Sequence, residues 1–393
     1  MKTLHTINFS DTAIAFASKS TKELKHMKFL FRTMAWSKIT NISVSFLKFA
    51  LKYHFPIKNI VRNTLFKQFC GGETYWECGT TMEKLHASGI FSIPDYSVEG
   101  KEDEASFNQT VKELVKGIEL AAGLPMVSFS VFKMSGIARF ALLEKIQRGE
   151  QLSADESKEF DRVKERVTRL CFEAETHNVR LMVDAEETWI QTAIDVLYVG
   201  YMKRFNAQRP ILFLTIQLYR KDGLERLKNM YAQAQKEGYH IGFKLVRGAY
   251  MEKERARANE LKYPSPINDT KEQTDALYNQ AVSFCLHEDI ATCIATHNQL
   301  SIERAVREMD PKDQQISGFA QLYGMGDFLS YNLAHAGYNV SKYLPYGPLR
   351  EVMPYLFRRA EENKSITGET TRELFFIEKE LKRRKAAGFK LKA

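Results

Sequence analysis

The sequence predicts an α/β protein closed as a (β/α)8 TIM barrel and preceded by an N-terminal helical arm. Three observations carry that prediction. From Gly89 onward, eight short apolar, β-branched runs alternate with charged segments of helical periodicity, the pattern of a parallel sheet covered on both faces. Eight such units over roughly 270 residues are the size of a (β/α)8 barrel. A doubly wound sheet would announce itself with GxGxxG after its first strand; Gly324-Met325-Gly326 lacks the third glycine and follows the seventh run.

The arm comes first, over residues 1–68. Within it, residues 27–53 (MKFLFRTMAWSKITNISVSFLKFALKY) mix Phe, Leu, Trp and Ile with spaced lysines. Such a stretch is either a helix packed on the domain with its lysines in water or a helix lying on an anionic membrane face. The barrel follows, with a basic C-terminal helix, over 69–393. Its predicted strands are Ile90–Val98, Met126–Met134, Val179–Ala185, Pro210–Tyr219, His240–Tyr250, Ala291–Asn298, Gln315–Tyr323 and Val340–Tyr346. Between them lie segments such as SADESKEFDRVKERVTRLCFEAE and GLERLKNMYAQAQKEG, which read as helices.

Composition narrows the class. The chain has 393 residues, 44% hydrophobic and 27% charged, as an ordinary globular protein does. The longest uncharged run, Phe328 to Ser341, is fourteen residues and contains Asn, Ser and Gly; a spanning helix needs ~20 mostly apolar residues. Five cysteines (Cys70, Cys78, Cys171, Cys285, Cys293) form no CxxC pair, which suits a reducing compartment without a disulfide framework. Asp11 and Glu23 stand where a transit peptide avoids acids. The expected location is therefore cytoplasmic, with a peripheral position on the inner face of the cell membrane allowed and a mitochondrial one disfavoured. The net charge of +9 is uneven: residues 19–69 hold eleven Lys/Arg against Glu23, and residues 378–393 hold seven against Glu378 and Glu380. The body between them is acidic, which gives no support to nucleic-acid binding.

In such a barrel the chemistry lies at the C-terminal ends of the strands. Those ends carry Lys133, Asp184, Gln217, then Lys244, Arg247 and Tyr250, then Thr296-His297-Asn298, Gln321-Leu322 and Tyr343. A polar side chain closes seven of the eight runs. One such residue is an ordinary solvated strand end; seven, with lysines inside otherwise apolar strands, point to a site. The eighth helix, PYLFRRAEEN (Pro354 to Asn363), places Tyr355, Arg358, Arg359 and Glu362 on one stripe. Two guanidiniums there suit one carboxylate better than a lysine point charge does. Lys133 adds a third cation, Asp184 holds one of these cations, and Tyr250, Tyr343 and Tyr355 wall the ligand. The threonine, histidine and asparagine suit phosphate or ribose oxygens, Gln217 suits the edge of a flavin ring, and Lys244 places charge near it. No HExxH, CxxC or carboxylate-rich loop suggests a metal.

With these residues in view, the chain resembles the proline dehydrogenase family. The resemblance rests on FCGGETYWEC (Phe69 to Cys78), PDYSVEG (Pro94 to Gly100), VFKMS, VDAEET, TIQLY, KLVRGAY, ATHN, FAQLYGMGD, YLPYG and YLFRRAEEN, in family order from about residue 69 to 363. It implies a distorted (β/α)8 barrel with the eighth helix over the mouth, and FAD-dependent oxidation of L-proline to Δ1-pyrroline-5-carboxylate, the first step of proline catabolism, by hydride transfer from proline C5 to flavin N5. It assigns Lys133, Arg358 and Arg359 to the proline carboxylate, with Asp184 pairing among these cations. Tyr343, Tyr355, Tyr250 and Leu322 would wall the ring. Ala185, Gln217, Lys244, Leu245, Val246, Arg247, Thr296, His297 and Glu362 would line the FAD, with Asp184 and Lys244 as the catalytic pair and Lys244 stabilising the reduced flavin. Lys244 stands where many bacterial members carry Arg and follows the mitochondrial-type pattern. The family's usual acceptor is a membrane quinone, which gives residues 19–69 a reason for a peripheral membrane contact. With 30 residues after Asn363, this chain is expected to perform the first step alone and hand its product to a separate pyrroline-5-carboxylate dehydrogenase.

Three rivals are weighed. A hydroxyproline oxidase would need a small residue where Tyr343 stands. A folate-reducing flavoprotein would not need Arg358 and Arg359. A non-catalytic membrane scaffold would have no reason to keep polar strand ends.

Overall fold

The computed structural model describes residues 7–35, 58–98, 100–365 and 369–388, with backbone alone at 58, 360–365 and 369–370. Eight strands close a parallel barrel in the order β1 to β8. They are β1 Ile90–Tyr96, β2 Ser130–Phe132, β3 Leu181–Val183, β4 Leu212–Gln217, β5 Gly242–Val246, β6 Ala291–Ala295, β7 Gly318–Leu322 and β8 Val340–Tyr346. Every predicted run contains one of them. Most are shorter than their apolar runs, because pairing stops where the chain leaves the sheet while burial continues. By packing, the chain divides into two units, Ile93–Ala320, and Met1–Ser92 with Gln321–Ala393.

In the unit Ile93–Ala320 the strands form a continuous parallel ladder. Phe132 pairs with Val183, Val183 with Leu214, Thr215 with Lys244, Lys244 with Cys293 and Ala295 with Ala320. The strand starts are filled by aromatics: Phe129 and Phe213 meet edge to face at 4.9 Å, and the Arg180 guanidinium lies 4.3 Å from the Phe129 ring centre. Gly242 opens β5 because a Cβ there would come within 2.6 Å of that Phe213 ring. The covering helices start where their sequences say. Ser153 and Glu156 form a capping box for Ala154–Thr176, Thr270 and Gln273 another for Lys271–His287, and Gly238, at φ 73°, ends Gly223–Glu237.

The other unit joins the two basic ends of the chain. Helix Thr21–Ala35 buries Leu24, Met27, Leu30, Phe31 and Met34 and packs on the terminal helix Glu369–Ala386. Lys28 pairs with Glu378 at 2.8 Å, and the Arg384 guanidinium donates to the carbonyls of Phe16 and Lys19, each at 2.8 Å. The two basic segments meet because an acid of one and backbone carbonyls of the other take up the facing cations. Of the stretch 27–53 read as an amphipathic arm, residues 36–53 lie outside the described residues, as do 54–57 beyond it; the part before residue 36 is packed. No helix among the described residues is long and apolar enough to cross a membrane.

The helix carrying the paired arginines runs Leu349–Ser365, so Pro354 sits inside it rather than in its first turn. Its missing N–H leaves the Arg350 carbonyl without the usual helical partner; the ring is exposed, where water can take that role.

The loop after β7 is the tightest point of this unit. Gln68 Nε2 donates to the Gly324 carbonyl at 2.8 Å, Glu373 accepts from the Gly326 N–H, and the fully buried Lys342 pairs with Asp327 at 2.9 Å and donates to the Met325 carbonyl. Gly324 has φ 80°, and a Cβ there would stand 2.1 Å from the Gln68 backbone oxygen. Gly324→Ala therefore meets both backbone strain and a rigid clash. It should cost on the order of 3 kcal/mol, measured by chemical denaturation; a loss below ~1 kcal/mol would contradict this packing.

Candidate active site

In the unit Ile93–Ala320 four charged side chains form an alternating chain across the strand ends. Asp95 on β1 faces Lys133 after β2, with Oδ2 3.7 Å from Nζ. Lys133 Nζ donates to Asp184 Oδ2 at 3.1 Å, and Lys244 Nζ on β5 donates to Asp184 Oδ1 at 2.6 Å. All four are largely out of water, with side-chain exposures from 3% to 13%. Two carboxylates balance two ammoniums, so the charges are tolerated without water. The barrel register explains the meeting: Lys244 is paired with Thr215 on one side and Cys293 on the other, so its four-carbon stem rises from mid-strand to the level of Asp184. Lys133 and Asp184 immediately follow adjacent strands.

Asp95 is the residue that sequence reasoning missed. Reading the first run through to Val98 hid it; β1 ends at Tyr96, and Asp95 is its polar end. All eight strands, not seven, thus carry a polar group near their C-terminal ends. Burial pushes the Asp95 carboxyl upward, against the pull of Lys133. Its Oδ2 accepts from Ser97 Oγ at 2.7 Å, while Oδ1 has no hydrogen-bond partner among the described residues.

The second group of predicted residues lies on β4 to β6. Gln217 is buried at the end of β4 with Oε1 unpartnered among the described residues, so it is free to accept from a donor outside the chain. Arg247 is locked by three partners: Asp275 Oδ1 at 2.6 Å, Thr296 Oγ1 at 2.6 Å and Ser301 Oγ at 2.9 Å. Its guanidinium also lies 4.3 Å from the Tyr278 ring centre. Asp275 and Ser301 come from helices and carry no strand-end signal. Ala185, Val246 and His297 are half-buried, at strand ends or just beyond. Leu245 is fully buried and alternates with Lys244, so its side chain faces away from the Lys244 side. Tyr250 is buried at the start of helix Met251–Leu261.

In the other unit, Tyr343 is buried in β8, and its carbonyl accepts from the Tyr323 N–H at 2.9 Å, next to the half-buried Leu322. Tyr355 is buried on helix Leu349–Ser365, with the Arg359 guanidinium 5.6 Å from its ring centre. Arg358 and Arg359 are half-buried. The Glu362 side chain lies outside the described residues.

The cysteines are not nucleophiles in waiting. All five are buried and free of disulfides, and burial raises Cys78 and Cys285 to about 12 and Cys293 to about 11.

A family model described as proline dehydrogenase matches residues 78–372. The chain is 33% identical over 430 residues to proline dehydrogenase 1, mitochondrial, of Dictyostelium discoideum, covering 95% of this chain and 74% of that one. It is 31% identical over 436 residues to the mitochondrial proline dehydrogenase 1 of Arabidopsis thaliana, covering 97% and 87%. Among solved structures it is similar in fold to proline utilization A from Bdellovibrio bacteriovorus inactivated by N-propargylglycine. The TM-score is 0.69 at 19% sequence identity, over 89% of this chain; the match spans 38% of that chain.

The names of these relatives overturn the expected cytoplasmic location. The two acids behind that expectation are helix caps: Asp11 Oδ1 accepts from the N–H groups of Ala13 and Ile14, and Glu23 Oε2 accepts from Ser20 N–H at 2.7 Å. Their charge serves the fold and carries no address.

Proposed function

The chain belongs to the proline dehydrogenase family, and from that premise we propose that it oxidises L-proline to Δ1-pyrroline-5-carboxylate with FAD as resident cofactor and a membrane quinone as final acceptor. The observation that carries the reading is the Asp95–Lys133–Asp184–Lys244 chain: two lysines largely out of water share one carboxylate, one suited to a substrate carboxylate and one to a cofactor ring.

Flavin suits the donors present. Gln217 offers a buried carbonyl oxygen that lacks a partner, fitting a ring N–H. Thr296 and His297 lie beside the locked Arg247, fitting ribose and phosphate oxygens. Ala185, Leu245 and Val246 would contribute backbone groups, and Glu362 would serve from the last barrel helix. Bound FAD would supply a two-electron acceptor for the hydride leaving proline C5.

The chain's own residues do the rest. Arg358, Arg359 and Lys133 take the carboxylate, while Tyr250, Tyr343, Tyr355 and Leu322 exclude water from the ring. Asp184 fixes both ammoniums, so that Lys133 points to substrate and Lys244 offers positive charge where negative charge develops. The product is handed to a separate pyrroline-5-carboxylate dehydrogenase.

Electron delivery to a quinone brings the protein to a membrane. Lys22, Lys25, Phe29 and Arg32 share the exposed face of helix Thr21–Ala35, within the contact proposed for residues 19–69. Full-length protein should sediment with anionic vesicles and be released by salt; equal binding to neutral vesicles would remove this contact.

The reading is tested by anaerobic titration with L-proline, following the visible absorbance of oxidised flavin. Bleaching supports it; a yellow protein unmoved by proline overturns it. Tyr343→Ser opens room for a 4-hydroxyl and should shift the preference for proline over trans-4-hydroxy-L-proline by about tenfold or more in kcat/KM. An unchanged ratio would remove Tyr343 from the specificity role.

A further inference from the structure

Two residues beyond the Lys133–Asp184 pair, the same strand ends meet a second time. Ser135 donates from its backbone N–H to Glu186 Oε1 at 2.9 Å and from its hydroxyl to Glu186 Oε2. The β2–β3 register sets Ser130 opposite Leu181 and Phe132 opposite Val183. Lys133 with Asp184, and Ser135 with Glu186, keep that same separation of 51 residues. Side chains thus carry the ladder past its last paired strand residues.

Glu186 is 2% exposed. Its own N–H donates to Gln191 Oε1 at 2.6 Å, and Gln191 Nε2 donates to the buried Asp195 Oδ1 at 2.7 Å. A carboxyl hidden this way is costly to ionise, and burial raises it to about 7. No step of the proposed chemistry touches it. On its far side the turn Met134–Gly136 is held as well, since a Cβ at Gly136 would come within 2.9 Å of the Val98 carbonyl oxygen. Lys133 is the residue that enters this turn.

We propose that Glu186 is a positioning residue: through Ser135 it fixes the turn that aims Lys133 at Asp184. The inference rests on the proline reading where it treats Lys133 as a carboxylate ligand; the placement of Lys133 itself does not depend on it.

The test uses the purified full chain with its flavin. Lys133 is labelled with an amine-reactive ester and quantified by peptide mass spectrometry, and KM and kcat for L-proline are measured on the same samples. Glu186→Ala should speed Lys133 labelling several-fold and raise KM about tenfold with a smaller change in kcat. Glu186→Gln keeps both contacts to Ser135 and should stay near the parent in both readouts. Ser135→Ala should move both in the same direction as Glu186→Ala by less, and carries the test where Glu186→Ala does not fold. Lys342, whose side chain is 0% exposed, should remain protected throughout. Unchanged Lys133 labelling overturns the inference; so does equal acceleration at Lys342, which would mean general loosening. If labelling behaves as expected but the parent protein does not oxidise proline, the substrate reading fails and the positioning role stands.

Discussion

Asp184→Ala should lower kcat/KM for L-proline by about 10²- to 10³-fold and destabilise the protein by several kcal/mol. One carboxylate receives Lys133 at 3.1 Å and Lys244 at 2.6 Å in a site nearly closed to water. Removing it leaves two ammoniums 13% and 8% exposed, and breaking even one buried pair costs ~3–5 kcal/mol. Lys133 would turn toward Asp95, already 3.7 Å away, and so leave the substrate direction. Asp184→Asn keeps one acceptor oxygen and the shape, so the order of activity should be parent, then Asn, then Ala. Steady-state kinetics with thermal melts of the three proteins check this. Melting points and kcat/KM within about twofold of the parent for Asp184→Ala would mean the two lysines are held by something else.

Replacing Arg358 or Arg359 with Ala should raise KM for proline by about 10- to 10²-fold each, with a smaller effect on kcat. On the proposed reading each would remove a charge-assisted hydrogen bond to the carboxylate, worth ~1.5–3 kcal/mol and made in both the bound substrate and the transition state. Lysine should rescue poorly, because an ammonium cannot supply the planar fork. The two positions should differ. The Arg359 guanidinium lies 5.6 Å from the Tyr355 ring centre, so its loss also frees a ring proposed to wall the substrate. Arg358→Ala should therefore act on KM nearly alone, and Arg359→Ala on both constants. Flavin content read from the absorbance spectrum controls for cofactor loss. A normal KM in the double substitution would transfer carboxylate binding to Lys133 and other groups.

Much of this was readable from residue order. Eight apolar runs gave eight strands in sequence because burial on both faces of a parallel sheet makes each strand locally apolar. Polar residues breaking that rule, Lys133, Asp184, Gln217 and Lys244, stood out for the same reason. The helix that opens after Ser153 was legible as a charged segment of helical periodicity, because periodicity, like the capping box that starts it, is local chemistry. Asp95 was lost because strand ends are set by pairing, and pairing is not written in the run that contains it. The eighth helix, read from Pro354, starts earlier, at Leu349, because the motif that marks it carries no start signal of its own. The two basic ends read as separate features; they pack together through Lys28–Glu378 and the Arg384 contacts. The expected cytoplasmic location fails because it rests on Asp11 and Glu23 as acids that a transit peptide avoids, when both serve to start helices.

Taken by itself, then, the sequence determined the fold class and the strand order and singled out candidate side chains, since each depends on residue type and local spacing. Which of those side chains pair was decided only in the folded barrel. That Asp184 takes both lysines, that Asp95 stands behind Lys133 and that Glu186 meets Ser135 follow from strand register and from the direction in which each side chain leaves the sheet. Those contacts join residues up to 60 positions apart, and no local pattern encodes a distance that only closure of the barrel creates.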